Sequence, residues 1–174
     1  SVNRLLEPDK PIVAAINGDC IGLAATIALL CDVTVMSEDA RVGDTHVSRV
    51  GLVAGDGGTV IWPLLVGVNK AKEFLMRGTL LKGREAERIG LVNHCVARGE
   101  VLETARRIAQ ELADGPSWAI RWTKLSLNQV VKERVNHLLE ASMALELVTF
   151  DLADHKEATS AFKEKRKPKF GSGA

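Results

Sequence analysis

The hydrophobic pattern changes character once along the chain, near residue 97. Before that point, short apolar runs alternate with glycine-marked turns. "PIVAAIN" (11–17) is continuous, rich in β-branched residues and bounded by Pro11 and Gly18, which predicts a strand buried on both faces, as in a parallel sheet with helices around it. Residues 22–31 are apolar all round and predict a central helix, and "DVTVMS" (32–37) predicts a second strand. A mixed stretch (41–50) and a glycine-rich turn, "AGDGGT" (54–59), lead into a helix running toward Leu65 and interrupted at Pro63. Helices are predicted over 70–77 and 85–89, the latter stopped by Gly90, and "LVNHCV" (91–96) reads as the last strand.

Beyond residue 97 the period is helical throughout. Val101, Leu102, Ala105, Ile108, Ala109 and Leu112 share one face. Trp118, Trp122 and Leu125 do the same after the break at Gly115 and Pro116. Val135, Leu138, Leu139 and Ser142 continue the pattern, and a helix over about 154–167 closes the chain. An α/β front half (1–97) is thus followed by an all-helical back half (98–174).

Composition narrows the class. The 174 residues are 46% hydrophobic and 26% charged, a globular balance, and the net charge of +1 gives no field that favours nucleic acid or an anionic membrane. The longest mostly apolar run, 20–31, is too short to span a bilayer. Cys20, Cys31 and Cys95 are odd in number, lie in apolar contexts and lack metal-ligand spacing, so reduced thiols in a cytoplasmic setting are expected. The start, "SVNRLLEPDKP", has no methionine, so it need not be the natural one.

Chemistry concentrates around "INGDCIGLAATIALLCD" (16–32). A strand, a glycine turn and a helix with small side chains in its first turn aim free backbone N–H groups outward, at the positive end of the helix dipole. Such amides hold anions or a developing oxyanion; close packing of the helix on the strand is the purely structural account of the same glycines.

The succession "KPIVAAINGDCIGLAATIALLCDVTVMSEDARVG", "VGLVAGDGGT", "LLVG", "AERIGLVN" and "SAFKEKRKPKF" resembles the crotonase family, the enoyl-CoA hydratase/isomerase superfamily, from Lys10 to Phe170. The resemblance implies a crotonase-like α/β fold, a ββα-type spiral core followed by a helical region for trimerisation, with homotrimers or pairs of trimers as the assembly. It also implies an acyl-CoA substrate, with coenzyme A entering as part of that substrate and no metal or other cofactor. The family's N-terminal segment, with one oxyanion-hole amide and much of the CoA surface, has no counterpart in the succession. The other amide is that of Leu23, shaped by Gly22, at a position where the family usually has glycine. Leucine disfavours positive φ, so the dihedrals there matter.

Two departures from the hydratase pattern bear on mechanism. Thr26 stands where hydratases carry one catalytic glutamate. Their second glutamate position falls at His46 in "VGDTHV", with the spacing from Gly43 to Gly51 one residue longer than usual, which leaves Thr45 or Asp44 as alternatives. His46 suits acid/base work near neutral pH, Asp44 is placed to orient it, and Asp56 lies where some family isomerases hold a proton-shuttling aspartate. The plainer readings are an Asp56 that caps the next helix, a structural His46 and an Asp44 that serves a turn. His94, His137 and His155 are expected to be structural or exposed. By the resemblance, Phe162 and Lys165 in the basic tail meet the adenine and phosphate of CoA, often a neighbouring subunit's; a solvated helix end is the alternative. Trp118 and Trp122 are either interface anchors or intramolecular core.

Overall fold

The computed structural model describes residues 2–171. A short helix, α1 (Asn3–Leu6), precedes β1 (Val13–Ile16), β2 (Cys20–Ile21) and α2 (Leu23–Leu29). Next come β3 (Val33–Ser37), β4 (Arg41–Gly43), a π-helical turn (His46–Val50), α3 (Gly58–Val66) and α4 (Val68–Arg77). β5 (Leu81–Lys82), α5 (Gly83–Arg88), β6 (His94–Val96), α6 (Val101–Asp114), α7 (Ser117–Phe150) and α8 (Ala153–Lys163) complete the order.

The predicted strands pair in parallel, but β1 is not buried on both faces as expected: Ala15 is exposed and Val13 and Ala14 are half-buried, while β3 is buried along most of its length. β3 is central, parallel to β1 from Val13 opposite Val33 to Ile16 opposite Met36, and parallel to β6 with Val35 opposite His94. Val35 and Met36 are fully buried, one under α6 through Val101 and Ala105, the other in the main core. A second sheet of short strands, unmarked in the sequence, pairs β2 parallel to β4 and β4 antiparallel to β5. It carries the chain from β2 into the glycine turn, and Gly22 N–H extends the ladder by donating to the Gly43 carbonyl at 3.0 Å.

Three further features differ from the sequence reading. α2 is not buried all round: Ala25, Thr26, Ala28 and Leu29 face the core, whereas Leu23 and Ile27 are exposed on the side toward a pocket. Proline does not interrupt α3, which runs on past Pro63. The ring removes one N–H bond, but buried Val60, Ile61 and Trp62 hold the helix by packing, Trp62 lying edge-on to Phe74. The back-half helices also belong to the common core. α7 packs on α3 and α1, and its Val135 joins the main cluster.

α7 is one helix of 34 residues whose buried positions are Lys124, Asn128, Val135 and Ser142. Polar anchors fix its first half to the start of the chain. Lys124 Nζ donates to Asp32 Oδ2 at 2.7 Å and to the Lys10 carbonyl at 2.8 Å, and Asn128 Nδ2 donates to the Leu6 carbonyl at 3.3 Å. Trp118 and Trp122 are both 61% exposed, which excludes the intramolecular-core reading; they pack on each other with Arg121 stacked over Trp118.

Candidate active site

The extra residue between Gly43 and Gly51 is absorbed by the π-helical turn. Gly51 N–H donates to the His46 carbonyl five residues back, a widened turn of the kind often found at functional sites. The widening begins at His46 itself. Asp44, at the end of β4 and almost fully buried, receives both His46 N–H at 2.9 Å and His46 Nδ1 at 2.8 Å on its Oδ1. This bond fixes the tautomer: with Nδ1–H on Asp44, Nε2 is the free edge of the imidazole. Asp44 therefore orients the imidazole as the spacing suggested.

Two further carboxylates face that free edge. Asp56 Oδ2, from the glycine turn before α3, lies 3.7 Å from His46 Nε2, and Glu146 Oε1, from α7, lies 3.9 Å from it. All three side chains are less than one-fifth exposed. Thr26 is fully buried and its hydroxyl points at Asp56 Oδ1 over 3.4 Å, so the residue at the hydratase glutamate position serves to hold a different carboxylate. Glu146 was not among the residues the sequence singled out. It lies about 90 positions away on a helix with no motif, and only the fold brings it in.

The electrostatics follow from this crowding. The Asp44 hydrogen bond, reinforced by the charges of Asp44, Asp56 and Glu146, raises the His46 pKa above its ordinary value against the opposing effect of burial. Burial raises the Asp56 and Glu146 carboxyls, and neighbouring carboxylates add to the rise while His46 opposes it. The backbone N–H of Gly58 opposes that rise at Asp56, but no side-chain bond caps α3, so the capping reading of Asp56 is not what the structure shows.

The glycine turn lies directly against this cluster. Gly22 has φ 63° and ψ −130°, and a side chain there would begin 3.3 Å from His46 Cε1. The left-handed conformation thus falls on Gly22, while Leu23, the first residue of α2, has no positive φ. Its amide is one of the four with no acceptor inside the helix. Leu23, Ile27, Asp56, Leu139 and Met143, with Arg4 at the rim, line one pocket of about 540 Å³. A pocket of about 570 Å³ between α3, α4 and α7 holds none of these titratable groups.

Asp44, His46 and Asp56 also offer ligand atoms within 4.8 Å of one another, the donor types a divalent cation takes. His46 bonds only Asp44 Oδ1, and the buried Asp44 Oδ2 accepts no hydrogen bond among the described residues. The other histidines stay outside the site: His94 and His137 are exposed, and His155 bonds the Val50 carbonyl through Nδ1 at 2.9 Å. Phe162 is 85% exposed near the end of α8, and Lys165 has φ 55°; neither joins the cluster.

Parallel β-turn units closed by a helical tail, with a glycine-turn amide beside an acid/base cluster, define a crotonase-type fold. The model of the enoyl-CoA hydratase/isomerase family matches residues 1–173, and the chain belongs to that family. It is 39% identical to a putative enoyl-CoA hydratase of Thermus thermophilus over 97% of this chain and 66% of that protein. It is 35% identical to a short-chain-enoyl-CoA hydratase of Clostridium acetobutylicum over 94% of this chain and 62% of that one. The crystal structure of an enoyl-CoA hydratase/isomerase from Pseudoalteromonas atlantica superposes with a TM-score of 0.89 at 30% identity, covering 98% of this chain and 68% of that one. The chain spans somewhat less than two thirds of the length of these curated relatives.

Proposed function

We propose that the full-length protein adds water across the double bond of an enoyl-CoA thioester through an enolate held in an oxyanion hole. One observation carries the reading: Gly22, which presents the free Leu23 amide, lies so close to the His46 imidazole that a Cβ there would fall 3.3 Å from Cε1. An oxyanion donor and an acid/base group so close can act on the carbonyl and the adjacent carbons of one acyl group. The thioester oxygen is held at the Leu23 amide. The acyl group occupies the pocket shared by Leu23 and Asp56, and the proton at the α-carbon is handled by His46 and Asp56. Phe162 and Lys165 are assigned to the adenine and phosphate of coenzyme A. The reading needs no metal or redox cofactor. No described helix is long and apolar enough to cross a membrane, and three free thiols fit a reducing, cytoplasmic setting. Assembly as a homotrimer or a pair of trimers completes the proposal, supported by the apolar side chains that α7 leaves exposed.

Burial of Thr26 favours a second reading, double-bond isomerisation, because no carboxylate stands at that position. Loss of the enoyl absorbance of crotonyl-CoA identifies the hydratase. Exchange of α or γ protons with solvent deuterium without water addition identifies the isomerase, and CoA binding with neither identifies a non-catalytic homologue. His46→Ala and Asp56→Ala should each lower turnover by about two orders of magnitude or more while CoA affinity stays nearly unchanged. Full turnover in both variants removes the assignments.

A further inference from the structure

α7 is locked to the glycine turn on either side of Glu146. Four residues before it, Ser142 Oγ lies 2.7 Å from Thr59 Oγ1. Three residues after it, Thr149 Oγ1 accepts from Val53 N–H at 3.2 Å and itself donates to the Glu146 carbonyl at 2.6 Å. Ser142, Glu146 and Thr149 share one helical face, and that face meets residues 53–59. The approach is backbone-close: a side chain at Gly55 would begin 2.5 Å from the Ser142 carbonyl oxygen and 2.7 Å from Glu146 Cβ. Neighbours on both sides thus fix where Glu146 stands.

Unlike Asp56, which Thr26 holds, the Glu146 carboxylate accepts no hydrogen bond among the described residues. Its 3.9 Å separation from His46 Nε2, like the 3.7 Å of Asp56, is too long for a direct bond and is a span that one water bonded to both groups can bridge. We propose that Glu146 is a catalytic residue, the base that activates the attacking water at the edge of His46. This rests on the hydratase reading above and supplies what Thr26 cannot.

The step balances as follows. The water oxygen forms a bond to the β-carbon while one water proton passes to Glu146. The π pair of the C=C bond moves onto the thioester oxygen as an enolate. Collapse of the enolate takes the His46 Nε2 proton onto the α-carbon, and Glu146 returns its proton to Nε2. The net change is addition of H and OH across the double bond. Burial, which raises the Glu146 carboxyl, makes it a better base than an exposed glutamate.

The test uses the full-length protein and two substrates. Crotonyl-CoA reads water addition, and butyryl-CoA in deuterium oxide reads α-proton exchange, which needs the oxyanion hole and His46 but no attacking water. Glu146→Gln should lower hydration by about 100-fold or more and leave exchange within about threefold of the wild type. Glu146→Asp, which keeps a carboxylate, should recover at least about tenfold of the lost hydration. Hydration unchanged in Glu146→Gln, hydration and exchange falling together in both variants, or no recovery in Glu146→Asp overturns the role. A wild type that exchanges without hydrating also overturns it, while leaving the oxyanion hole in place. A wild type that does neither overturns the proposed function itself.

Discussion

His46 is the residue on which the site turns, and its surroundings dictate a sign. Asp44 bonds its Nδ1, while Asp56 and Glu146 face its Nε2, so every charged group against the ring favours the imidazolium. A raised pKa means that the folded protein holds this proton more tightly than the unfolded chain. The stability it contributes is fully present below the unfolded value, near 6.5, and is lost as pH rises from there through the folded value. Asp56 and Glu146 are raised as well, and the same rule gives them the same sign from the ordinary carboxyl range upward. Urea unfolding at a series of pH values should show stability falling above about pH 6.5. His46→Gln should flatten that decline. A wild-type profile that climbs with pH over the same range contradicts the geometry.

Among the elements, α7 reverses the usual rule of amphipathic helices. Three of its four buried positions are Lys124, Asn128 and Ser142, while Leu127, Val130, Leu145, Leu147 and Val148 are exposed. The inward stripe is read by hydrogen bonds, of which Lys124 to Asp32 is the one between opposite charges. Lys124→Met keeps the stem but removes the charge partner of Asp32, leaving it only the Ile12 N–H, and should lower stability by about 2 kcal/mol, measured as a shift in the urea midpoint at constant slope. An unchanged midpoint would show that the anchor contributes nothing. This inversion explains what the sequence left hidden. β1, β3 and β6 were legible because each is a short apolar stretch with valine or isoleucine between turn residues, although only β3 is buried along most of its length. The helix stop at Gly90 was legible because glycine there takes the positive φ that ends a helix. Asp44 beside His46 was legible because two residues of separation is a local matter. β2, β4 and β5 are two or three residues long and leave no periodicity to detect. Glu146 was hidden because its partners are remote in sequence and its helix is patterned by bonds that hydropathy does not register.

For the whole molecule, the apolar side chains that α7 does not bury need a partner surface. Trp118, Trp122, Leu127, Leu145, Leu147 and Val148 are each at least 60% exposed along a helix that would be about 50 Å long. An exposed apolar patch of that extent marks an interaction surface, and the assembly proposed above would cover it. It also bears on catalysis, because Glu146 lies between Leu145 and Leu147 on the same helix. In the proposed assembly, a neighbour covering the outer face would hold α7 down against the glycine turn and with it the carboxylate 3.9 Å from His46. Leu147→Asp combined with Val148→Asp puts two charges on the outer face without touching Ser142, Glu146 or Thr149. Sedimentation equilibrium should then report a monomer in place of a trimer or hexamer, and hydration should fall with the loss of assembly while far-ultraviolet dichroism keeps its helical form. If the double variant still sediments at the assembled mass, this face of α7 is not where the copies meet; if it sediments as a monomer with full activity, the neighbour has no part in holding Glu146.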